Sequence, residues 1–174
     1  MFEKYLKDAK LDFKMQAAMG QGKERDALRD KAKAVTKKMR DNYVEGRLGL
    51  VIDGTGKDYS KITSQANQLK QIGYDVHMVF INTSLDVALE RNRNRPRTVP
   101  EKITIDSWNK VQKNIGAFQR FFGNKNFVIV DNNEISDNVF DMVGKQVRRM
   151  LSKKVDNPTA NAWIENELRK KRRT

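Results

Sequence analysis

An α/β fold with a parallel sheet, three strands of it recognisable and flanked by helices, is what this sequence of 174 residues predicts. Three observations carry that expectation. Short apolar runs rich in β-branched and aromatic residues alternate with longer charged segments whose apolar residues recur at helical spacing. The segments between runs are long enough for the crossover helices that parallel strands require. Finally, the runs end on polar residues, Asp53, Asn82 and Asp131. Such strand ends are where open α/β sheets bind their ligands.

In chain order, "MFEKYLKDAKLDFKM" at the start is helical in composition, with no glycine before Gly20. "ERDALRDKAKAVTKKMRDNYVEG" spaces Ala27, Leu28, Ala32, Val35, Met39 and Tyr43 along a charged background and reads as a long helix stopped near Gly46. "LGLVID" follows as a buried strand. "SKITSQANQLKQIG" is a helix with Ser60 as candidate N-cap and Gly73 as stop, and "YDVHMVFIN" is the second strand. The helix "LDVALERNRNR" opens at Thr83 and Asp86, which have capping-box spacing. Pro96 ends it and Pro100 opens "PEKITIDSWNKVQKNIGAFQRFF". "NFVIVD" is the third strand. Two helices close the chain, parted by the breaker "DNP" at Asp156 to Pro158. Residues 1–155 read as the α/β domain and residues 156–174 as a basic helical tail.

Composition narrows the chemistry. The chain has no cysteine and a single histidine, which excludes disulfides and thiolate metal sites and leaves little for an imidazole site. No apolar run reaches the roughly 18 residues of a membrane span, and the charged N-terminus is unlike a signal peptide. A cytoplasmic protein that uses no membrane is expected. The formal net charge is +13. From Lys145 onward there are 10 basic and 3 acidic residues, and "LRKKRRT" sets five cations in a row. Such a segment attracts polyanions, nucleic acid above all, through counterion release. Its plainer reading is a solvated helix end.

Two stretches bear on catalysis. "GLVIDGTGKDYSKI" runs an apolar segment into a glycine turn with a lysine, as a phosphate-binding loop does. The pattern G-x-x-x-x-G-K-[ST] fails, however, because Val51 stands where the first glycine belongs and Asp58 where a hydroxyl should meet Mg²⁺. Asp53 is better read as a strand-end carboxylate, able to hold a water on Mg²⁺ or to accept a proton from a phosphoryl acceptor. Its plainer role is to cap the turn that follows. "RNRNRPRTVP" carries Arg91, Arg93, Arg95 and Arg97 at alternate positions, and Pro96 breaks the helix among them. Planar bidentate donors arriving from a helix end and a loop suit phosphate groups. Against this stands a solvated basic helix end beside the negative pole of the helix dipole.

These segments, with "VQKNIGAFQRFFGN" and "FVIVDN" after them, resemble the body of phage-encoded P-loop kinases related to adenylate kinase, polynucleotide kinase and zeta toxin. The resemblance implies a five-stranded parallel sheet in the order 2-3-1-4-5, with "LVID", "HMVFIN" and "FVIVD" as its third, fourth and fifth strands. It implies ATP and Mg²⁺ as cofactors, with Asp53 holding the metal through water. Asp53, Arg93 and Arg95 would be catalytic, and Arg91, Arg97, Lys57, Thr55 and Asn132 would bind the nucleotide. The acceptor is expected to be a nucleotide, a nucleic-acid end or another small hydroxyl compound.

The departure from that pattern is large. The chain begins where the family's second strand has ended, so the first strand and the phosphate loop are not within these residues. The expected fold is therefore an incomplete P-loop kinase-like one, with "LVID" moved beside "HMVFIN", and the expected activity is impaired. The competing expectation is a nucleic-acid-binding or structural accessory phage protein derived from the kinase fold. In that case the basic tail contacts the phosphate backbone, and Trp163, Phe121 and Phe122 are either stacking platforms or core residues.

Overall fold

Helix formation in the first third of the chain follows the spacing of a few small and apolar residues among many charges. In the computed structural model, which describes residues 1–14, 22–134 and 136–172, α1 (Phe2–Asp8) packs on α2 (Gly22–Glu45). Leu6 and Ala32 are the buried residues of the two helices. The helix α2 ends in a Schellman arrangement: Leu48 N–H reaches back to Tyr43 O at 2.9 Å. The left-handed residue of that cap is Arg47, at φ 52°, one position past the glycine expected to stop the helix.

Two compact units divide the chain. The first comprises Met1–Gly54 and Leu85–Asp106, the second Thr55–Ser84 and Ser107–Thr174. Besides α1 and α2, the first unit holds α4 (Leu85–Asn94) and the opening turns of α5 (Glu101–Phe122). Pro96 and Pro100 both fall in the turn between α4 and α5, as the sequence predicts. The carbonyl of Pro100 accepts the N–H groups of Ile103 and Thr104 at 2.9 and 3.2 Å, which begins the α5 ladder.

The second unit contains α3 (Tyr59–Gln71), β1 (Met78–Asn82), most of α5, β2 (Phe127–Asp131), α6 (Asp137–Leu151) and α7 (Pro158–Lys171). The two strands run parallel, in register from Met78 opposite Phe127 to Asn82 opposite Asp131. Their core is aromatic. Phe80 and Phe127, from the strands, cluster with Ala66 of α3 and with Phe118 and Phe122 of α5, and Tyr59, Ile62, Val111, Ile115 and Phe121 pack around them. On α5 the positions Val111, Ile115, Phe118 and Phe122 recur every three or four residues, the spacing that makes one helix face apolar. Phe122 is thus a core residue, the second of the two roles open to it, and Phe121 is partly buried against that core.

Two expectations need correction. Among the described residues the sheet has two strands, not three, and "LVID" takes no strand and pairs with neither β1 nor β2. Val51 is 101% exposed and Ile52 48%. A parallel ladder requires a neighbour that supplies slanted N–H and C=O groups along its length, and apolar content cannot substitute for that neighbour. The second correction is local. Asp58, not Ser60, caps α3, its carboxylate accepting Lys61 N–H at 3.0 Å. A carboxylate at an N-cap satisfies an orphan donor and meets the positive end of the helix dipole.

Among the described residues no helix is long and apolar enough to cross a membrane.

Candidate functional site

The residues singled out from the sequence divide between the units. Asp53, Arg91, Arg93, Arg95 and Arg97 lie in the first, and Thr55, Lys57 and Asn132 in the second.

In the first unit Arg91 and Arg93 lie in the last turn of α4 and Arg95 and Arg97 in the turn that follows, which other side chains hold in shape. Asn92, 2% exposed, donates through Nδ2 to Val99 O at 2.8 Å and accepts Val99 N–H on Oδ1 at 3.1 Å. One buried amide thus satisfies both backbone groups of Val99 and closes the loop around Arg93 to Arg97. Outside it, Arg93 Nε donates to Glu101 Oε1 at 2.7 Å. The hydrogen bond and charge of Glu101 raise the Arg93 guanidinium above its ordinary value. Arg97 lies 3.7 Å from Glu3 Oε1 and stacks its guanidinium 5.2 Å from the Phe2 ring centre. Arg95 projects into solvent at the tip. The arginines are therefore presented by a fixed scaffold, and Arg93 and Arg97 already have carboxylate partners. The sequence did not single out Asn92 or Glu101, because a buried turn-closing amide looks like any loop asparagine until its partner is known.

Asp53 is exposed in irregular backbone, where the sequence placed a strand tip. The turn after it has a clear structural role. Gly56, at φ 75°, is buried, and a Cβ there would lie 3.7 Å from the Phe80 ring and 3.8 Å from Val111. Asn114 Nδ2 donates to Gly56 O at 3.0 Å and to Lys57 O at 3.2 Å, pinning the turn to α5. Thr55 and Lys57 have exposed side chains on that pinned turn.

At the carboxyl ends of β1 and β2 polar groups bind one another. Gln112 Nε2 donates to Asn82 Oδ1 at 2.9 Å, and Trp108 Nε1 donates to Thr83 O at 2.9 Å. Asn133 bridges the two strand ends: its Nδ2 donates to Asp131 Oδ1 at 2.7 Å, and its Oδ1 accepts Ser84 N–H at 2.7 Å. The backbone N–H of Asn132 goes to Asn82 O at 2.9 Å, which continues the ladder by one residue. Trp108, Gln112 and Asn133 were missed from the sequence. The first two are four residues apart on one helix face, the spacing that could have pointed to them.

Among the described residues no group of three or more His, Asp or Glu side chains is placed to hold a metal ion. Asp53 by itself offers one exposed carboxylate, and no Mg²⁺-dependent step is assigned to it.

The family model described as Zeta toxin matches residues 13–141. A comparison with curated proteins and one with solved structures gave no match.

Proposed function

This chain belongs to the zeta toxin family, and from that premise we propose that it is a P-loop kinase-like phosphotransferase domain whose arginine turn grips nucleotide phosphates. The observation that carries this reading is the closure of the turn by Asn92 and Val99. A loop whose only task was solubility has no need of a buried amide to fix its shape, whereas bidentate recognition of phosphate loses strength when its donors are not preorganised. The chemistry such a domain serves is ATP-dependent transfer to a hydroxyl of a nucleotide, a nucleic-acid end or another small acceptor, with Mg²⁺ carried by the ATP.

These 174 residues contain no G-x-x-x-x-G-K-[ST] segment. That loop supplies the backbone N–H cradle and the lysine at the β- and γ-phosphates. The chain by itself is therefore expected to bind Mg-ATP in the upper micromolar range or more weakly, and to transfer phosphate slowly or not at all. Calorimetry measures this directly. Arg95→Ala should weaken the residual binding by about threefold, the effect of one exposed charge contact. A low-micromolar dissociation constant for the unaltered chain would overturn the expected impairment, and an unchanged affinity in Arg95→Ala would remove the turn from the site.

A second reading, nucleic-acid binding, is favoured by one feature. The last turn of α7 carries Arg169, Lys170 and Lys171, all exposed, on a helix with no buried residue. Arg173 and Thr174 lie outside the described residues. Nothing in the segment is placed to read base edges, so the contact expected is with the phosphate backbone, independent of sequence.

A further inference from the structure

At the opposite end of the strands from Asn82 and Asp131, the second unit has a cleft of about 590 Å³ that neither reading above uses. Its wall includes Lys70 from α3, Tyr74, Asp75 and His77 from the approach to β1, Asn126 ahead of β2, and Lys153, Lys154 and Asp156 from the segment between α6 and α7. A volume of that size suits a small polar ligand.

Three features of the cleft favour an anion. Lys70, Lys153 and Lys154 outnumber the carboxylates of Asp75 and Asp156, and protonation of His77 adds a fourth cation. The Lys70 ammonium is also pre-positioned, since it sits 4.7 Å from the Phe121 ring centre and 5.8 Å from that of Phe122. Such seating lowers the entropy lost when a lysine engages a ligand. The third feature is His77 Nδ1, which is buried and has no hydrogen-bond partner in the protein. A buried ring nitrogen without a partner is costly, and a ligand oxygen beside it would convert that cost into a hydrogen bond.

The helix start beside the cleft contributes nothing. Asn157 Oδ1 already accepts the N–H groups of Thr159 and Ala160 at 2.9 and 3.3 Å. The more basic-looking groove between α1 and α2, lined by Arg29, Lys33, Lys37 and Arg40, is a weaker candidate. There Lys33 is paired with Asp30 at 2.9 Å, and Asp41 lies 2.6 Å from Lys37 and 3.5 Å from Arg40.

We propose that the cleft binds a small phosphate-bearing anion, with Lys70, Lys153 and Lys154 as its cationic contacts and His77 as a donor that engages when protonated. Binding is then linked to pH. In the absence of ligand, burial first and the charge of Lys153 second hold the imidazole below its ordinary value, and Asp75 opposes them only in part. An anion among the lysines reverses that balance and draws a proton onto His77.

Because His77 is the only histidine in the chain, the proton on its Cε1 gives an unambiguous reporter resonance in proton NMR. Inorganic pyrophosphate at saturation, compared with sodium chloride at equal ionic strength, should raise the titration midpoint of His77 by about 1 pH unit. The same linkage makes pyrophosphate bind about tenfold more tightly to the protonated form. His77→Gln should abolish that pH dependence, and Lys153→Ala with Lys154→Ala should remove the rise in midpoint. Both lysines are exposed, so the doubly altered chain is expected to keep the wild-type amide spectrum. An unmoved midpoint, or an equal rise in the double variant, overturns the proposal. So does a rise produced by a single-stranded oligonucleotide but not by pyrophosphate. Loss of Mg-ATP binding at the arginine turn would leave this reporter untouched, so the two sites fail separately.

Discussion

His77 shows how one side chain ties folding to pH. Its imidazole is held below the ordinary value of 6.5 mainly by burial, then by Lys153, with Asp75 in opposition and Lys70, Tyr74, Lys154 and Asp156 on the surrounding cleft wall. The unfolded chain therefore binds more protons than the folded one between the two values. Stability contributed by the neutral ring is complete above about pH 6.5 and is lost as pH falls toward the depressed folded value. Urea midpoints measured between pH 5 and pH 8 should rise with pH in the wild type more steeply than in His77→Gln. Parallel curves for the two proteins would show that the ring titrates equally in both states.

Among the elements, α7 depends on a glycine far from it in sequence. Gly73 is the left-handed residue that ends α3, at φ 101°, and Tyr74 N–H closes the cap on Leu69 O at 3.1 Å. A Cβ at Gly73 would meet Ala160 N at 2.8 Å and its Cα at 3.1 Å, both backbone atoms of the first turn of α7. Gly73→Ala therefore combines an unfavourable φ, about 1–2 kcal/mol, with a clash that a flexible side chain cannot relieve, another 1–3 kcal/mol or so. A loss of about 3 kcal/mol is expected. Limited proteolysis between α6 and α7 should also accelerate, reporting the undocking of α7. An unchanged urea midpoint would mean that α7 moves away at little cost.

For the whole molecule the governing quantity is the net charge of +13, more than half of it in the last 30 residues. If the end of α7 contacts nucleic acid, deleting Leu168 to Thr174 should weaken binding and flatten its salt dependence. Each phosphate contact contributes about 0.7–0.9 to the slope of log K against log salt, so five cations bound the change at roughly four units. About half of that is expected, because an exposed helix end seldom engages all its charges together. Filter binding across a salt series reads the slope, and parallel lines for the two chains would reduce the tail to a solubilising surface.

Local signals by themselves determined most of the helices, both strands of the sheet, the proline-marked turn and the arginine cluster. Spacing, caps and breakers act within a few residues, and every one of them is written in the chain. Even there, neighbours decided between equivalent candidates: Asp58 rather than Ser60 caps α3, and Arg47 rather than Gly46 takes the left-handed position. Only the tertiary structure decided the fate of "LVID", since a strand exists by virtue of its partner, and the exposure of Val51 is invisible in a pattern that reads as buried. The same holds for the sites. The arginines were legible as a cluster, but Asn92, which shapes their turn, and His77, Lys70 and Lys153, which share a cleft across more than 80 residues of sequence, acquire their chemistry from groups that only folding brings near.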